Sequence, residues 1–99
     1  LELAAQRHSD DQAAMSQTSH TGSDGSNLGV RLSRVGFAWR AASENVASGQ
    51  TSAASVVSAW MNSPGHRANI LSANTRVGVG FAVGTDGRTY WTQVLATPS

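Results

Sequence analysis

The 99-residue chain contains no cysteine, no lysine and only two prolines. Without cysteine the protein has no disulfide, no thiolate nucleophile and no zinc site of the cysteine type. All seven cationic side chains are arginines scattered along the sequence, so no basic run predicts nucleic-acid binding. No apolar run reaches transmembrane length, and no signal peptide is visible. The length and the hydrophobic content of 39% predict one small domain, residues 1–99.

A helix is predicted over residues 1–18, because apolar and small residues recur there at helical spacing. The stripe consists of Leu1, Ala5, His8, Gln12 and Met15. Since Leu1 already lies inside the helical pattern, we expect a segment upstream of it to have been removed. For His8, a core-edge histidine that is hydrogen-bonded to the backbone is a better interpretation than a ligand-binding one.

Residues 19–27 are small, polar and rich in glycine, which predicts a loop that contains His20. Ser26 or Asn27 is expected to cap the next helix, because both side chains accept hydrogen bonds from free backbone N–H groups. The apolar positions of that helix are Leu28, Leu32 and Val35. Gly36 suits the left-handed residue at its C-terminal end.

A strand is predicted over residues 37–46, where aromatic, β-branched and small residues predominate. Glu44, followed by Asn45, is its only acidic residue. A glutamate in a strand faces water by default, so the strand alone gives Glu44 no special role. Thr51 or Ser52 is expected to cap the helix that follows.

Two helices are predicted to meet at Pro64, with a histidine at the joint. The first helix carries an apolar face of Ala53, Val56, Val57, Trp60 and Met61. Pro64 cannot continue this helix but suits the first position of the next one, with Ser63 as its N-cap. His66 lies in the first turn of the second helix, where the helix dipole disfavours imidazolium. A neutral histidine there can accept a proton or bind a metal.

An antiparallel hairpin is predicted over residues 76–96, with Asp86–Gly87 as a two-residue turn. The register set by this turn pairs Val83 with Tyr90, Ala82 with Trp91 and Phe81 with Thr92. Large residues on one strand would then oppose small ones on the other. Neither face of the hairpin is charged, so we expect helices on both sides of a small antiparallel sheet, an α+β fold.

Three side chains are candidates for chemistry: His20, Glu44 and His66. Two neutral histidines and a carboxylate are a legitimate set of zinc ligands, and they can equally act as a general acid–base set around a water molecule. The three residues come from separate elements, so their sequence spacing does not show whether they converge. No serine lies in a Gly-x-Ser-x-Gly motif, which leaves no clear nucleophile.

Five blocks of the sequence have an informative order and spacing over nearly the whole chain. The blocks are His8–Asp11, Ser19–Ser26, Glu44–Ala47, Trp60–Leu71 and Tyr90–Val94. Together they resemble the CAP superfamily, also called the SCP-like domain, and most of all its cysteine-free bacterial branch. The resemblance implies a three-layer α-β-α sandwich with a small central antiparallel sheet and a cleft. The first helix of the family is expected to be missing, and its loss would expose an apolar patch, in a monomer or weak dimer.

The resemblance also implies a cleft with two histidines and two acidic residues. His20 matches the first histidine of the family and Glu44 the first glutamate. Ser63 stands where the second glutamate is expected, and Tyr90 stands where the second histidine is expected. His66, from the bacterial Ser-Pro-Gly-His-Arg motif, would restore a second imidazole.

These correspondences predict a site rather than a reaction, so catalysis stays an open question. The candidate catalytic residues are His20, Glu44 and His66, the candidate cleft residues are Ser63, Tyr90 and Asn45, and the candidate ligands of zinc or another divalent metal are His20 and His66. Family members are secreted, and lipid or sterol binding, divalent-metal binding and proteolysis have been attributed to different ones. No segment of this chain matches the disulfide-rich extensions of the sterol-binding members.

Three functions are therefore weighed. The leading hypothesis is a secreted or envelope-associated, non-enzymatic binding module for a small molecule, a lipid or a cell-wall component. The second is a metal-dependent protease or esterase in which zinc on His20 and His66 activates water and Glu44 acts as base. The third is a structural domain of the bacterial envelope or spore coat.

Overall fold

A computed structural model describes all 99 residues and contains four helices and one sheet of three strands. The elements are α1 (Glu2–Met15), α2 (Leu28–Arg34), β1 (Trp39–Ser48), α3 (Ala53–Met61), α4 (Pro64–Ile70), β2 (Arg76–Val83) and β3 (Thr89–Pro98). The strands are antiparallel in the order β1-β3-β2. The predicted α+β class is confirmed. None of the helices has both the length and the apolar character needed to cross a lipid bilayer.

The sheet separates two helical layers, as the sandwich architecture requires. On one face α1 lies across β2 and β3, and α2 packs beside it against β1. The core of this layer is formed by Ala4, Ala5, Leu32 and Val94. On the other face α3 and α4 pack against β1 and β3, around a core of Val56, Trp60 and Trp91.

Two polar residues on the inner side of α1, Ser9 and Gln12, are hydrogen-bonded to the central strand. Ser9 Oγ lies 2.8 Å from Thr92 Oγ1, and Gln12 Nε2 donates to the same hydroxyl at 2.9 Å. All three residues are buried. The predicted helical stripe therefore does face the sheet, although part of its contact is made by hydrogen bonds rather than by apolar packing.

Two glycines of β2 let α1 approach the sheet closely. A Cβ atom on Gly80 would lie 2.4 Å from the carbonyl oxygen of Ala5, and one on Gly78 would lie 2.5 Å from the carbonyl carbon of Leu1. Backbone atoms cannot yield at such distances, so only glycine fits at these positions. The alternation of glycine with valine in β2 is thus explained by helix packing on one face.

The predicted capping residues are found at both ends of α2 and at the start of α3. The Asn27 side chain accepts a hydrogen bond from Val30 N at 2.9 Å, and Ser52 forms a capping box with Ser55. Gly36 has φ 73°, the left-handed conformation expected at the end of α2. The N–H of Phe37 then bonds back to Leu32 O at 3.0 Å. Phe37 therefore still belongs to the end of α2, which is why β1 begins at Trp39 rather than at residue 37.

The predicted register of the β2–β3 hairpin is wrong by one residue. The structure pairs Val83 with Thr89 and Phe81 with Trp91. Between the two strands the Gly84 N–H bonds to Arg88 O at 2.8 Å, which closes a three-residue loop, residues 85–87. Gly87 takes φ 81° there, and its N–H bonds to Gly84 O at 2.9 Å. Three-residue hairpin loops usually consist of a type I turn followed by a residue in the left-handed conformation. Glycine is favoured at that residue and also in two-residue turns, so an Asp-Gly pair is compatible with both loops.

One consequence of this register is an exposed apolar stripe on β2. Phe81 and Trp91 lie side by side with ring centroids 4.5 Å apart. Helix α1 covers the glycine face of β2, whereas no helix covers the opposite face, so the expectation of full cover fails for this strand. The exposed side chains are Val77, Val79, Phe81 and Val83, each between 40% and 60% exposed. The Gln6 side chain occupies the outer edge, accepting from Phe81 N at 3.1 Å and donating to Phe81 O at 2.7 Å.

Only part of the predicted apolar face of α3 is buried. Val56 and Trp60 are 1% and 2% exposed, whereas Val57 is 42% exposed. The Trp60 indole N–H also donates to Val46 O at 3.2 Å, so this side chain links α3 to β1. Trp60 is the anchor of the second core.

Replacing Trp60 by alanine is expected to cost about 3–5 kcal/mol of unfolding free energy, because it removes a large buried side chain and leaves a cavity. Val57→Ala, on the same helix, should change this quantity by less than about 0.5 kcal/mol. Urea denaturation of both variants measures the difference. Equal stabilities would refute the role of Trp60 as an anchor.

Gly80→Ala is expected to destabilise the domain by about 1–3 kcal/mol, because the added methyl group collides with the backbone of α1. Gly65→Ala is the matched control, since a Cβ there meets nothing within 4 Å. Thermal unfolding of the two variants checks the comparison. The close approach of α1 to β2 is ruled out if Gly80→Ala is as stable as Gly65→Ala.

Candidate functional site

Glu44 lies at the centre of a buried polar cluster rather than facing water. Its position opposite Val94 in the sheet directs the carboxylate under α1 and α2, where the residue is 6% exposed. Arg31 on α2 contacts both oxygens, with Nη1 2.5 Å from Oε2 and Nη2 3.3 Å from Oε1. Two parallel contacts of this kind are the strong form of an ion pair. The default expectation for a strand glutamate is therefore wrong here.

Arg31 is the site residue that the sequence reasoning missed. The signal was present, because Arg31 falls at helical spacing among the apolar positions Leu28, Leu32 and Val35. A cation on the inner face of a helix needs a buried anion, and Glu44 is the only acidic residue of the neighbouring strand. The two observations together would have predicted the pair.

His20 joins Glu44, as the resemblance implied. Its Nδ1 lies 3.1 Å from Glu44 Oε1 and carries the hydrogen, because a carboxylate only accepts. The His20 side chain is 63% exposed and forms the outer wall of the cluster. Arg31 also donates to the carbonyl oxygen of His20 at 2.5 Å, which ties the loop to α2.

His8 completes the cluster from below, on α1. Its Nε2 donates to Ser19 O at 2.6 Å and lies 3.9 Å from Glu44 Oε1. This confirms the interpretation of His8 as a core-edge histidine bonded to the backbone. Burial lowers the pKa of His8, even though the Ser19 carbonyl and the Glu44 charge favour the protonated form. His8 is therefore a neutral hydrogen-bond donor near pH 7.

His66 lies in the other helical layer, away from this cluster. Its Nδ1 is 2.9 Å from the Ser63 hydroxyl, and its carbonyl oxygen accepts from Asn45 Nδ2 at 3.2 Å. Because neighbouring strand residues point to opposite faces, Asn45 and Glu44 project to opposite sides of β1. The structure thus brings His20 to Glu44 but does not bring His66 to either. It also corrects the role of Ser63, whose hydroxyl binds His66 rather than capping the backbone of α4.

Asn45 and Tyr90, the other cleft candidates, occupy separate places. Asn45 is fully buried and links three elements, donating to Gln93 Oε1 at 3.0 Å and accepting from Asn69 Nδ2 at 2.9 Å. Tyr90 is 1% exposed and lines a second, polar pocket beyond the end of α1, with Thr18 among its neighbours. Four residues of strand, roughly 13 Å, separate Tyr90 from the partner of Glu44.

The residues present do not fit a zinc site. Only His20 and Glu44 of the expected ligands meet, and Arg31 already engages both oxygens of Glu44. No group of three histidine, aspartate or glutamate side chains is arranged to hold a metal ion. Structural zinc needs four ligands and catalytic zinc three. The arrangement provides a neutralised ion pair with His20 hydrogen-bonded to it and His8 beside it.

A pocket of about 160 Å³ opens beside this cluster, between α1, the loop and α2. Its ten lining residues include the arginines Arg7, Arg31 and Arg34 and the aspartates Asp11 and Asp24, and only Ala4 and Val35 are hydrophobic. Arg34 pairs with Asp24 at 2.5 Å, and this pair is exposed. Hydrogen bonds from Ser26 and the pairing with Arg34 hold the pKa of Asp24 well below its usual range.

The family of the chain follows from a match that spans nearly all of this architecture. A sequence model described as "CAP: Cysteine-rich secretory protein family" matches residues 1–95. The chain belongs to the CAP family. This CAP domain contains no cysteine, so the feature that gives the family its description is absent from it.

Three bacterial proteins are similar to this CAP domain. Protein YkwD of Bacillus subtilis (strain 168) is 44% identical over 63 residues, which are 63% of this chain and 23% of that protein. The chain therefore spans less than a quarter of the length of this relative. An extracellular protein of Bacillus anthracis containing an SCP domain is 31% identical, with a TM-score of 0.85 over 97% of this chain and 31% of that one. An outer surface protein of Borrelia burgdorferi shares the fold, with a TM-score of 0.88 and 22% identity over 100% of this chain and 74% of that one.

Arg31→Met is expected to cost about 3–5 kcal/mol of unfolding free energy, because it leaves the Glu44 carboxylate buried without its partner. Arg34→Met should have little effect, since the Arg34–Asp24 pair is exposed and screened by solvent. Urea denaturation at low and high salt compares the two variants. If Arg31→Met unfolds at the same denaturant concentration as Arg34→Met, the buried pair does not support the fold.

The stability of the domain should fall as the pH drops below about 6.5, because the unfolded chain protonates His8 there and the folded chain resists protonation. The contribution of neutral His8 to the unfolding free energy is thus fully present above the ordinary histidine pKa. It is lost as the pH falls from that value to the lowered pKa of His8 in the folded state. His8→Gln keeps a donor for Ser19 O but cannot titrate. Unfolding free energies measured between pH 7.5 and 5 should therefore fall less steeply in the variant, and parallel curves would contradict the assignment.

Proposed function

We propose that the CAP domain is a non-enzymatic binding module of an extracellular or envelope-associated protein. Its ligand would be a small polar molecule or a polar part of the cell wall. The binding site would be the pocket between α1 and α2, beside the Glu44 cluster. The single observation that carries the proposal is the state of Glu44, whose carboxylate is already neutralised.

A general base needs a free lone pair within reach of the proton it removes. In this domain Arg31 engages both oxygens of Glu44, and His20 donates to one of them. The Nε2–H group of His8 donates a hydrogen bond to Ser19 O. Glu44 and His8 therefore hold the pocket wall in place. The exposed lone pair of the cluster is on His20 Nε2, because His20 donates its Nδ1 hydrogen to Glu44, and no hydroxyl nucleophile is hydrogen-bonded to that atom.

The composition of the pocket favours a polar ligand over a lipid. Ligand sites for apolar molecules are lined mainly by hydrophobic and aromatic side chains. Here eight of the ten lining residues are polar or charged, and none is phenylalanine, tyrosine or tryptophan. Among the partners expected from the sequence, a small molecule or a cell-wall fragment fits this pocket better than a lipid.

The extracellular location is supported by the two solved relatives, one described as an outer surface protein and the other as an extracellular protein. A domain without cysteine does not depend on the redox state of its compartment. Both considerations agree with an envelope or secreted protein, and the location of the whole protein remains part of the proposal.

An NMR titration tests the proposal, using soluble cell-wall fragments and, separately, phospholipid vesicles. Saturable shifts are expected for the backbone amides of Arg7, Asp11 and Ser23 with the wall fragments only. The amides of Thr18 and Arg88, which belong to the second pocket, serve as the internal control. Shifts at the second pocket alone, or with vesicles alone, would contradict the proposal.

A hydrolase assay on peptide and ester substrates provides the opposing test. The wild-type domain and His20→Ala should show the same background rate, because His20 is expected to have no catalytic part. The substitution should leave the fold intact, since this side chain is largely exposed. If the wild-type domain hydrolyses a substrate and His20→Ala does not, the binding proposal is wrong and the hydrolase hypothesis is supported.

A further inference from the structure

The pocket between α1 and α2 contains one cation and one anion that the fold leaves without a countercharge. The four ion pairs of the structure involve either Glu44 or Asp24, and they include neither Arg7 nor Asp11. Both residues line the pocket. Arg31 and Arg34, the other two cations there, are already paired.

The Asp11 carboxylate is held in a fixed orientation by the loop. Its Oδ2 accepts from Ser23 N at 2.8 Å, and its Oδ1 accepts from Ser23 Oγ at 2.6 Å. Each oxygen still has an open lone pair. Asp11 is half-buried, so its charge is less screened than that of a residue in open water.

Arg7 and Asp11 are four residues apart on α1, which places them on one face of the helix. Neighbours at this spacing commonly form an ion pair, yet here Asp11 is hydrogen-bonded to Ser23, and Arg7 belongs to none of the ion pairs. Ala4 lies on the same face, one turn before Arg7, and it is one of the two hydrophobic residues of the pocket. Along the helix the wall thus presents an apolar, a cationic and an anionic position in that order, about 4.5 and 6 Å apart.

We propose that this pocket binds the zwitterionic centre of an α-amino acid, with the carboxylate on Arg7, the ammonium group on Asp11 and a short aliphatic side chain against Ala4 and Val35. The inference rests on the proposed function and specifies its ligand. A cavity near 150 Å³ holds one benzene molecule, so the pocket admits roughly six to ten non-hydrogen atoms. Small amino acids have this size.

The same zwitterion can come from two sources. One is a free amino acid such as alanine, and the other is the unlinked amino-acid centre of a diaminopimelate residue in a cell-wall peptide. Both carry a carboxylate and an ammonium group on one carbon atom. Binding of either one through Arg7 and Asp11 supports the proposal, and a comparison of their affinities tells which source the domain prefers.

The test is an NMR titration with D-alanine, L-alanine and a diaminopimelate-containing wall peptide. N-acetylalanine, which lacks the ammonium charge, and alaninamide, which lacks the carboxylate, are the matched probes. We expect the zwitterions to shift the amides of Arg7, Asp11 and Ser23 saturably, and each blocked probe to bind roughly tenfold more weakly or worse.

Two variants assign the contact. Arg7→Gln should weaken binding of the zwitterions by roughly tenfold or more, because it removes the partner of the carboxylate. Arg40→Gln is the control, since Arg40 is also exposed and unpaired but lies on β1, outside the pocket. Neither substitution removes a buried contact, so both variants should fold.

The outcomes separate this inference from the proposed function. If N-acetylalanine binds as tightly as alanine, or if Arg7→Gln binds like Arg40→Gln, the zwitterion proposal is overturned while a polar binding module stands. If neither the amino acids nor any wall fragment shifts the pocket amides, both proposals fail.

Discussion

A carboxylate on the inner face of a sheet must be neutralised where it lies, and in this domain Arg31 neutralises Glu44. The pair fixes more than its two residues. Arg31 also holds the carbonyl oxygen of His20, which positions the loop, and Glu44 receives His20 from outside. Because His8 lies beside the same carboxylate, helix α1, the loop, α2 and β1 all converge on one charge. The pocket beside the cluster is shaped by these same elements.

This arrangement is the basis for proposing a binding surface where the sequence suggests acid–base machinery. Glu44 accepts from Arg31 and His20, and His8 donates to Ser19 O, whereas the Nε2 atom of His20 makes no hydrogen bond within the protein. The charged groups of the pocket that belong to no ion pair are Arg7 and Asp11. In the other layer, the links from Asn45 to Gln93 and Asn69 serve to join β1 to β3 and α4.

The sequence predicted what local chemistry determines. Asn27, Ser52, Gly36 and Pro64 mark the ends of helices because their effects act within a few residues, and the family resemblance supplied the sandwich. The hairpin register was wrong because Gly87 suits both two-residue and three-residue loops. Whether His66 meets His20 depended on which face of β1 each element covers, and no local pattern contains that information. Arg31 was predictable in principle, from a charge placed among apolar helix positions.

The coupling between Arg31 and Glu44, measured as a double-mutant cycle of unfolding free energies, tests the account most directly. Arg31→Met, Glu44→Gln and the double variant are compared with the wild-type domain. The account predicts that the double variant is clearly more stable than the sum of the single effects would allow, because removing both partners leaves no buried charge unpaired. Additive effects would show that the two residues do not depend on each other. The buried pair would then not be the constraint around which the pocket is built.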